Sequence, residues 1–210
     1  MNLNCPLCNG ESPHFGKFSR RDFFECSHCK SIFSDPSKHL DPEQEVARYL
    51  THNNDVEDPG YRTFVSPIVE HVLSKYTSQH IGLDFGAGSG PVISKMLNEK
   101  GYSIDQYDPF FFNNVEVFYK NYDYIICCEV IEHFYQPRKE FDQLRNMLNP
   151  GGELICMTDM YTDGIDFEKW YYKNDPTHVF FYNPKTVEII QSEFKFSDAK
   201  ISNRLIRFVV

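Results

Sequence analysis

The chain has 210 residues, with 30 acidic against 21 basic side chains, a formal charge of −9, and 41% hydrophobic content. That length accommodates one full domain plus a small appendage, and 19 Phe with 13 Tyr exclude a disordered chain. The acidic balance gives no footprint for sequence-independent nucleic-acid binding, and no apolar run is long enough to span a membrane as a helix.

The opening residues Met1 to Pro6 lack an apolar signal region, so a cytoplasmic location is expected. Residues 1–40 hold five basic and four acidic side chains, so the negative charge resides in the remainder. Cys5-Pro-Leu-Cys8 and Cys26-Ser-His-Cys29 are two CxxC pairs separated by 17 residues. Each pair places two thiolates on one tight turn, and the spacing is that of a tetrahedral four-cysteine zinc site. A disulfide framework would need an oxidising compartment, and a thioredoxin-like redox centre would use one pair rather than two. Structural zinc on Cys5, Cys8, Cys26 and Cys29 is therefore expected, with His14 and His28 as exposed neighbours. Four thiolates leave no open position for catalysis. Phe15, Phe18, Phe23 and Phe24 bracket charged residues, as in a hairpin with one buried face. A polar linker from about Asp35 to Pro42 separates a zinc-ribbon-like segment, 1–38, from a main domain, 39–210.

Pro42 to Tyr49 and Phe64 to Tyr76 read as helices, the second with Phe64, Ile68, Val72 and Leu73 on one face. His80 to Pro91 reads as a buried strand entering a glycine-rich turn. Val92 to Lys100 reads as a helix with Ile93, Met96 and Leu97 toward a sheet. The dinucleotide fingerprint GxGxxG fails at its third glycine, where Pro91 stands. Asp84, just before the turn, suits hydrogen-bond donors or positive charge better than a diphosphate. Gly101 to Pro109 reads as a second strand ending in Asp108, 22 residues after Gly86, where a carboxylate accepts hydrogen bonds from ribose hydroxyls. Tyr124 to Cys128 is continuously apolar, as in a parallel strand covered on both faces. A helix from about Pro137 to Met147, a turn at Gly151-Gly152 and a strand to Thr158 follow. A helix from Pro184 capped by Asn183, and strands near Phe196 to Ile201 and Leu205 to Val210, complete the chain.

Four motifs in this order span about residues 60–210: the Asp84-x-Gly86-x-Gly88-x-Gly90 turn, Asp108, Glu129-Val-Ile-Glu-His133, and Leu148-Asn-Pro-Gly-Gly. Together they resemble the class I S-adenosylmethionine-dependent methyltransferases. The resemblance implies an α/β fold, a Rossmann-like, mostly parallel, seven-stranded-type sheet preceded here by the small zinc ribbon. It also implies S-adenosylmethionine as cofactor, with contacts on Asp84, Gly86, Ala87, Gly88, Asp108, Pro109, Cys128 and Glu129. One departure stands out. Asp123 follows Asp108 by only 15 positions, too few for a helix and a full third strand, which is expected to be reduced. Phe110, Phe111 and Phe112 form either an adenine wall or core.

His133, four residues after Glu129, and His178, after an Asp-Pro turn, are the candidate catalytic bases. Zinc on Glu132 and His133 is discounted for want of further ligands. Trp170 to Tyr182 falls in the family's variable substrate region and offers either stacking surfaces for a planar substrate or a lid packed on the sheet. The expected activity is methyl transfer to an O, N or C acceptor on a small molecule, with no membrane involvement. Two readings stand beside it: an RNA- or protein-modifying methyltransferase that uses the ribbon, with its Arg20-Arg21 doublet, for recognition, and a non-enzymatic cofactor-binding scaffold. The acidic main domain weighs against nucleic acid.

Overall fold

The computed structural model describes residues 2–51 and 55–210. In the N-terminal segment, strands β1 (Asn2–Asn4), β2 (Glu11–Phe18), β3 (Arg21–Glu25) and β4 (Ile32–Ser34) pair antiparallel in sequence order. Ser19 and Arg20, both at positive φ, close the β2–β3 hairpin with the backbone twist such tight turns need. The expected single buried face is corrected here. Phe23 and Phe24 are adjacent, point to opposite faces, and are both buried. Phe24 enters the main core with Leu7 and Phe33, and Phe23 packs with Phe167, Trp170 and Phe181. The hairpin is clamped on both sides because it docks onto the rest of the chain.

Helix α1 (Pro42–Tyr49) starts at Asp41, whose side chain accepts from the Gln44 N–H while the Gln44 side chain accepts from the Asp41 N–H. Helix α2 (Pro59–Lys75) begins earlier than its apolar spacing suggested, because Asp58 caps it and Pro59 fills the first turn. Its buried face is Val65, Ile68, Val69 and Val72. Phe64 is exposed instead, stacking on Tyr61 beneath the Arg204 guanidinium.

The second sheet is built from β5 (Gly82–Phe85), β6 (Ile104–Tyr107), β7 (Tyr122–Cys128), β8 (Leu148–Met157), β10 (Asp198–Ser202) and β11 (Leu205–Val209). Its order is β10-β11-β8-β7-β5-β6, with β8, β7, β5 and β6 parallel and the last two strands antiparallel. Among the described residues no strand lies between β6 and β7. A short 3-10 helix, Val115–Tyr119, occupies the interval, so β6 is an edge. β8 starts at Leu148, before the Pro-Gly-Gly sequence. That sequence is a bulge inside the strand, not a turn ahead of it, since pairing jumps from Tyr122–Leu148 to Tyr124–Glu153.

Side chains alternate along β7. Tyr124 and Ile126 pack against α2 and α3 (Val92–Asn98), while Ile125 and Cys127 pack against α4 (Pro137–Asn146) and α5 (Pro184–Glu193). The N-terminal segment joins the α4–α5 side. Between β8 and α5, strand β9 (Phe180–Phe181) pairs with β4 rather than with the main sheet. The Asn183 side chain that caps α5 donates to the Lys30 carbonyl, and the Thr186 hydroxyl donates to the Cys29 carbonyl at 2.9 Å.

Candidate functional site

Strand order in the parallel sheet reverses at β5. The connection through α3 leads outward to β6, and the chain then returns to the other side of β5 as β7. Crevices form where strand order switches, at the carboxyl ends of the strands. A cleft of about 1030 Å³ opens there. It is lined by Gly86, Ala87, Gly88, Asp108, Pro109, Cys128 and Glu129, and by His133 and His178 from the opposite wall.

The glycine turn is shaped by two different constraints. Gly86 sits at φ 79°, and a Cβ there would lie 2.4 Å from Val130 Cγ2, so only glycine fits against the β7 loop. Gly88, at φ 62°, has nothing within 4 Å of its Cβ direction, so the backbone faces open cleft. The Gly88 N–H donates to Asp108 Oδ2 at 3.0 Å, while Asp108 Oδ1 accepts from the Phe110 and Phe111 N–H groups at 2.9 and 3.1 Å. These bonds fix a carboxylate at the end of β6 on the cleft wall. Phe110 and Phe111 line the cleft beyond it, and Phe112 turns away to bridge with Asp108.

Asp84 does not line the cleft. It is buried under the turn and accepts a 2.7 Å bond from the Ser94 hydroxyl, and burial pushes its pKa up to about 6. Its alternation along β5 aims it at α3.

Glu129 adopts a positive φ of 52° as the chain leaves β7, which turns its carboxylate into the cleft. Both its oxygens accept at 2.7 Å from a single guanidinium nitrogen, Nη2 of Arg204, in an ion pair reaching from the β10–β11 hairpin. Burial and the neighbouring Glu132 push Glu129 up to about 7, and burial does the same to Glu132. The Tyr172 hydroxyl lies between these two carboxylates and Thr158.

The histidines come together from two separate segments, one after β7 and one before β9, their rings 4.8 Å apart and edge to face. His133 follows β7 in a one-turn 3-10 helix, and its Nδ1 lies 2.9 Å from the Thr177 carbonyl. His178 Nδ1 lies 2.8 Å from the Tyr172 carbonyl. Burial lowers the pKa of both, and that of His178 falls to about 3 with His133 beside it. The expectation that Glu132 and His133 lack a further ligand is overturned. One ligand atom from each of Glu132, His133 and His178 lies within 4.8 Å of the others. Sequence spacing hid this, because His178 is 45 residues downstream.

The substrate-region aromatics divide. Trp170 is buried with Phe167, Phe181 and the ribbon's Phe23; Tyr172 belongs to the same buried cluster and reaches the cleft, and exposed Tyr171 lines the cleft beside it. The segment that carries His178 is held from outside by Arg21. Its guanidinium donates to the carbonyls of Lys173, Asp175 and His178 at 3.1, 2.9 and 2.5 Å. Arg48 on α1 pairs with Asp175 at 2.7 Å. Nothing in the sequence marked Arg21, Arg48 or Arg204 for these contacts.

Across the molecule, the four N-terminal cysteines converge. All four Sγ atoms lie within 4.8 Å of one another, with Cys5–Cys29 at 3.6 Å and Cys8–Cys26 at 3.4 Å, and all are unbridged thiols. Among the described residues no helix is long and apolar enough to cross a membrane.

A family model described as a methyltransferase domain matches residues 41–197. None of the curated protein sequences matches the chain. Among solved structures, a candidate O-methyltransferase of Nostoc punctiforme PCC 73102 superposes with a TM-score of 0.56 at 13% identity, over 71% of this chain and 56% of its own. Human N-acetylserotonin methyltransferase in complex with S-adenosylmethionine gives 0.52 at 15% identity, over 71% of this chain and 53% of its own. The N-methyltransferase NodS of Bradyrhizobium japonicum WM9, bound to S-adenosyl-L-homocysteine, gives 0.51 at 19% identity, over 79% of this chain and 96% of its own. The chain thus spans about half the length of the first two and nearly all of the third. At such identities the likeness is one of fold.

Proposed function

The chain belongs to the methyltransferase-domain family, and from that premise we propose that its cleft binds S-adenosylmethionine and passes the methyl group to a small-molecule acceptor. The observation that carries this reading is the pairing of open backbone at Gly88 with the fixed Asp108 carboxylate at the sheet's switch point. The residues fit the cofactor. The glycine turn leaves room for a chain to pass, and Asp108 presents a carboxylate to vicinal hydroxyls. Phe110 and Phe111 offer an apolar wall beyond the carboxylate.

When bound, the cofactor supplies a methyl group on a positively charged sulfonium. The protein's part is alignment and exclusion of water, which contribute most in a displacement of this kind. Tyr171 and Tyr172, together with the segment pinned by Arg21 and Arg48, form the acceptor wall. A small acceptor is favoured over a nucleic acid because Arg21, half of the ribbon's basic doublet, is engaged by internal carbonyls.

The four-cysteine cluster is read as a structural zinc site. Zn–S bonds of about 2.3 Å in a tetrahedron put sulfurs about 3.8 Å apart, and the two pairs at 3.6 and 3.4 Å approach that spacing. Coordination by four thiolates there would tie the two knuckles together and leave no position for chemistry.

Calorimetric titration with S-adenosylhomocysteine tests the cofactor assignment. One site per chain is expected, with affinity falling at least about tenfold in Asp108→Ala, since a bond to a charged group contributes about 1.5–3 kcal/mol. Unchanged affinity in that variant removes the ribose role of Asp108, and no binding by the folded chain removes the assignment itself.

A further inference from the structure

We propose that Glu132, His133 and His178 form a second metal site, distinct from the cysteine cluster, that holds a divalent transition-metal ion on the acceptor side of the cleft. The two imidazoles and the carboxylate already present their ligand atoms within 4.8 Å of one another.

Two independent features point to an ion rather than to a packing accident. First, both histidines use Nδ1 on a backbone carbonyl, Thr177 for His133 and Tyr172 for His178. Carbonyls only accept, so Nδ1 carries the proton in each ring and Nε2 is left as a bare lone pair. Metal-binding histidines are oriented by this kind of outer bond. Second, Glu132 is fully buried, and its Oε2 has no hydrogen-bond partner among the described residues, although Oε1 accepts from Tyr172. A buried carboxylate oxygen without a donor is costly unless a proton neutralises it or a cation meets it.

Two imidazoles and one carboxylate suit Mn2+, Fe2+ or Zn2+ better than Mg2+ or Ca2+, which favour all-oxygen sets. Three protein ligands leave positions open toward the cleft, which both histidines line. The acceptor class follows, and this part rests on the methyl-transfer reading above: a compound whose hydroxyl oxygen reaches the open positions. A bound cation lowers the pKa of such an oxygen. The hydroxyl then releases its proton to solvent, an oxygen lone pair forms the new O–C bond, and the C–S pair returns to sulfur. The products are a methyl ether and S-adenosylhomocysteine.

The test uses the full chain, cleared of loosely held ions by a weak chelator that leaves the cysteine cluster loaded. Mn2+ is titrated in, free ion is followed by electron paramagnetic resonance, and S-adenosylhomocysteine binding is measured on the same samples. One Mn2+ per chain is expected, with affinity reduced at least about tenfold in Glu132→Gln and His178→Gln. In the wild-type chain, spin-echo spectra of bound Mn2+ should carry nitrogen modulation from two imidazoles, a readout that stands even where a variant fails to fold. S-adenosylhomocysteine binding without Mn2+ uptake, or Mn2+ uptake without imidazole nitrogen, overturns the metal site and leaves the methyltransferase reading intact. Mn2+ bound with the nitrogen signal but no S-adenosylhomocysteine binding keeps the site and removes the acceptor class.

Discussion

Arg21 acts as a clasp. Its planar guanidinium reaches three carbonyls of the 173–178 segment and lies 5.1 Å from the centroid of the Phe23 ring. Arg21→Ala is expected to lower stability in urea unfolding by about 2–4 kcal/mol, because several charge-assisted bonds vanish together. Arg20, exposed in the hairpin turn, should cost less than about 0.5 kcal/mol on the same change. Arg21→Lys should recover little, since one ammonium cannot replace a fork. Equal effects at 20 and 21 would refute the clasp. The two turn glycines separate in a similar way. Gly86→Ala drives a methyl into Val130 and should unfold or strongly destabilise the chain. Gly88→Ala meets no atom, so its folding cost is only the left-handed strain of about 1 kcal/mol, while S-adenosylhomocysteine affinity should fall sharply. Comparable stability loss in both would contradict this division.

Among the elements, β8 carries a buried charge that makes the sheet acid-sensitive. Glu153 is almost fully buried and is met by His71 at 2.7 Å and Lys75 at 2.9 Å from α2, with the Tyr76 hydroxyl at 3.3 Å. Burial alone would raise its pKa, but the bonds from His71 and Lys75 outweigh that and hold it down at about 2. The folded pKa lies below the unfolded one, so the stabilisation is complete above about pH 4.5 and fades as pH falls toward 2. At 1.36 kcal/mol per pKa unit it amounts to no more than about 3 kcal/mol, less some screening at half-exposed Lys75. Glu153→Gln should therefore flatten the fall in stability between pH 4.5 and 2, as read by urea unfolding across that range. A parallel downward shift at every pH would assign Glu153 to packing alone.

Taken as a whole molecule, the N-terminal ribbon and the 167–183 segment beside the cleft are one mechanical unit. β4 pairs with β9, the α5 cap holds the second cysteine knuckle, and Phe23 packs against Trp170 and Phe167. Loss of the proposed zinc should consequently be felt far from the cysteines. Chelation, or Cys26→Ser, is expected to raise amide hydrogen exchange in residues 176–186 as well as in residues 5–33, while the parallel strands β5 and β7 stay protected. Exchange confined to the ribbon would mean that the two parts fold independently.

How much of this was legible in advance follows from the range of the forces involved. Local rules reached the alternating and continuous apolar strands, the helix from Pro42, the Asn183-capped helix at Pro184, the paired cysteines, and the glycine turn with Asp108 at its set distance. Each depends on neighbours within a few residues or on a fixed βαβ spacing. The short interval after Asp108 also foretold that the third strand would be diminished, and the sheet ends at β6. Helix α2's true start at Asp58 and the bulge at Pro-Gly-Gly were missed, because a cap and a pairing partner outweighed periodicity there. What only the tertiary structure decided were meetings between side chains far apart in sequence: Arg21 with the 173–178 carbonyls, Arg204 with Glu129, and His178 with His133 and Glu132. No local pattern encodes such a meeting, because it is fixed by the summed packing of sheet, ribbon and helices. The sequence by itself thus determined the family of the fold and the wall that carries the glycine turn and Asp108, and three-dimensional packing alone decided which side chains meet across the rest of the cleft.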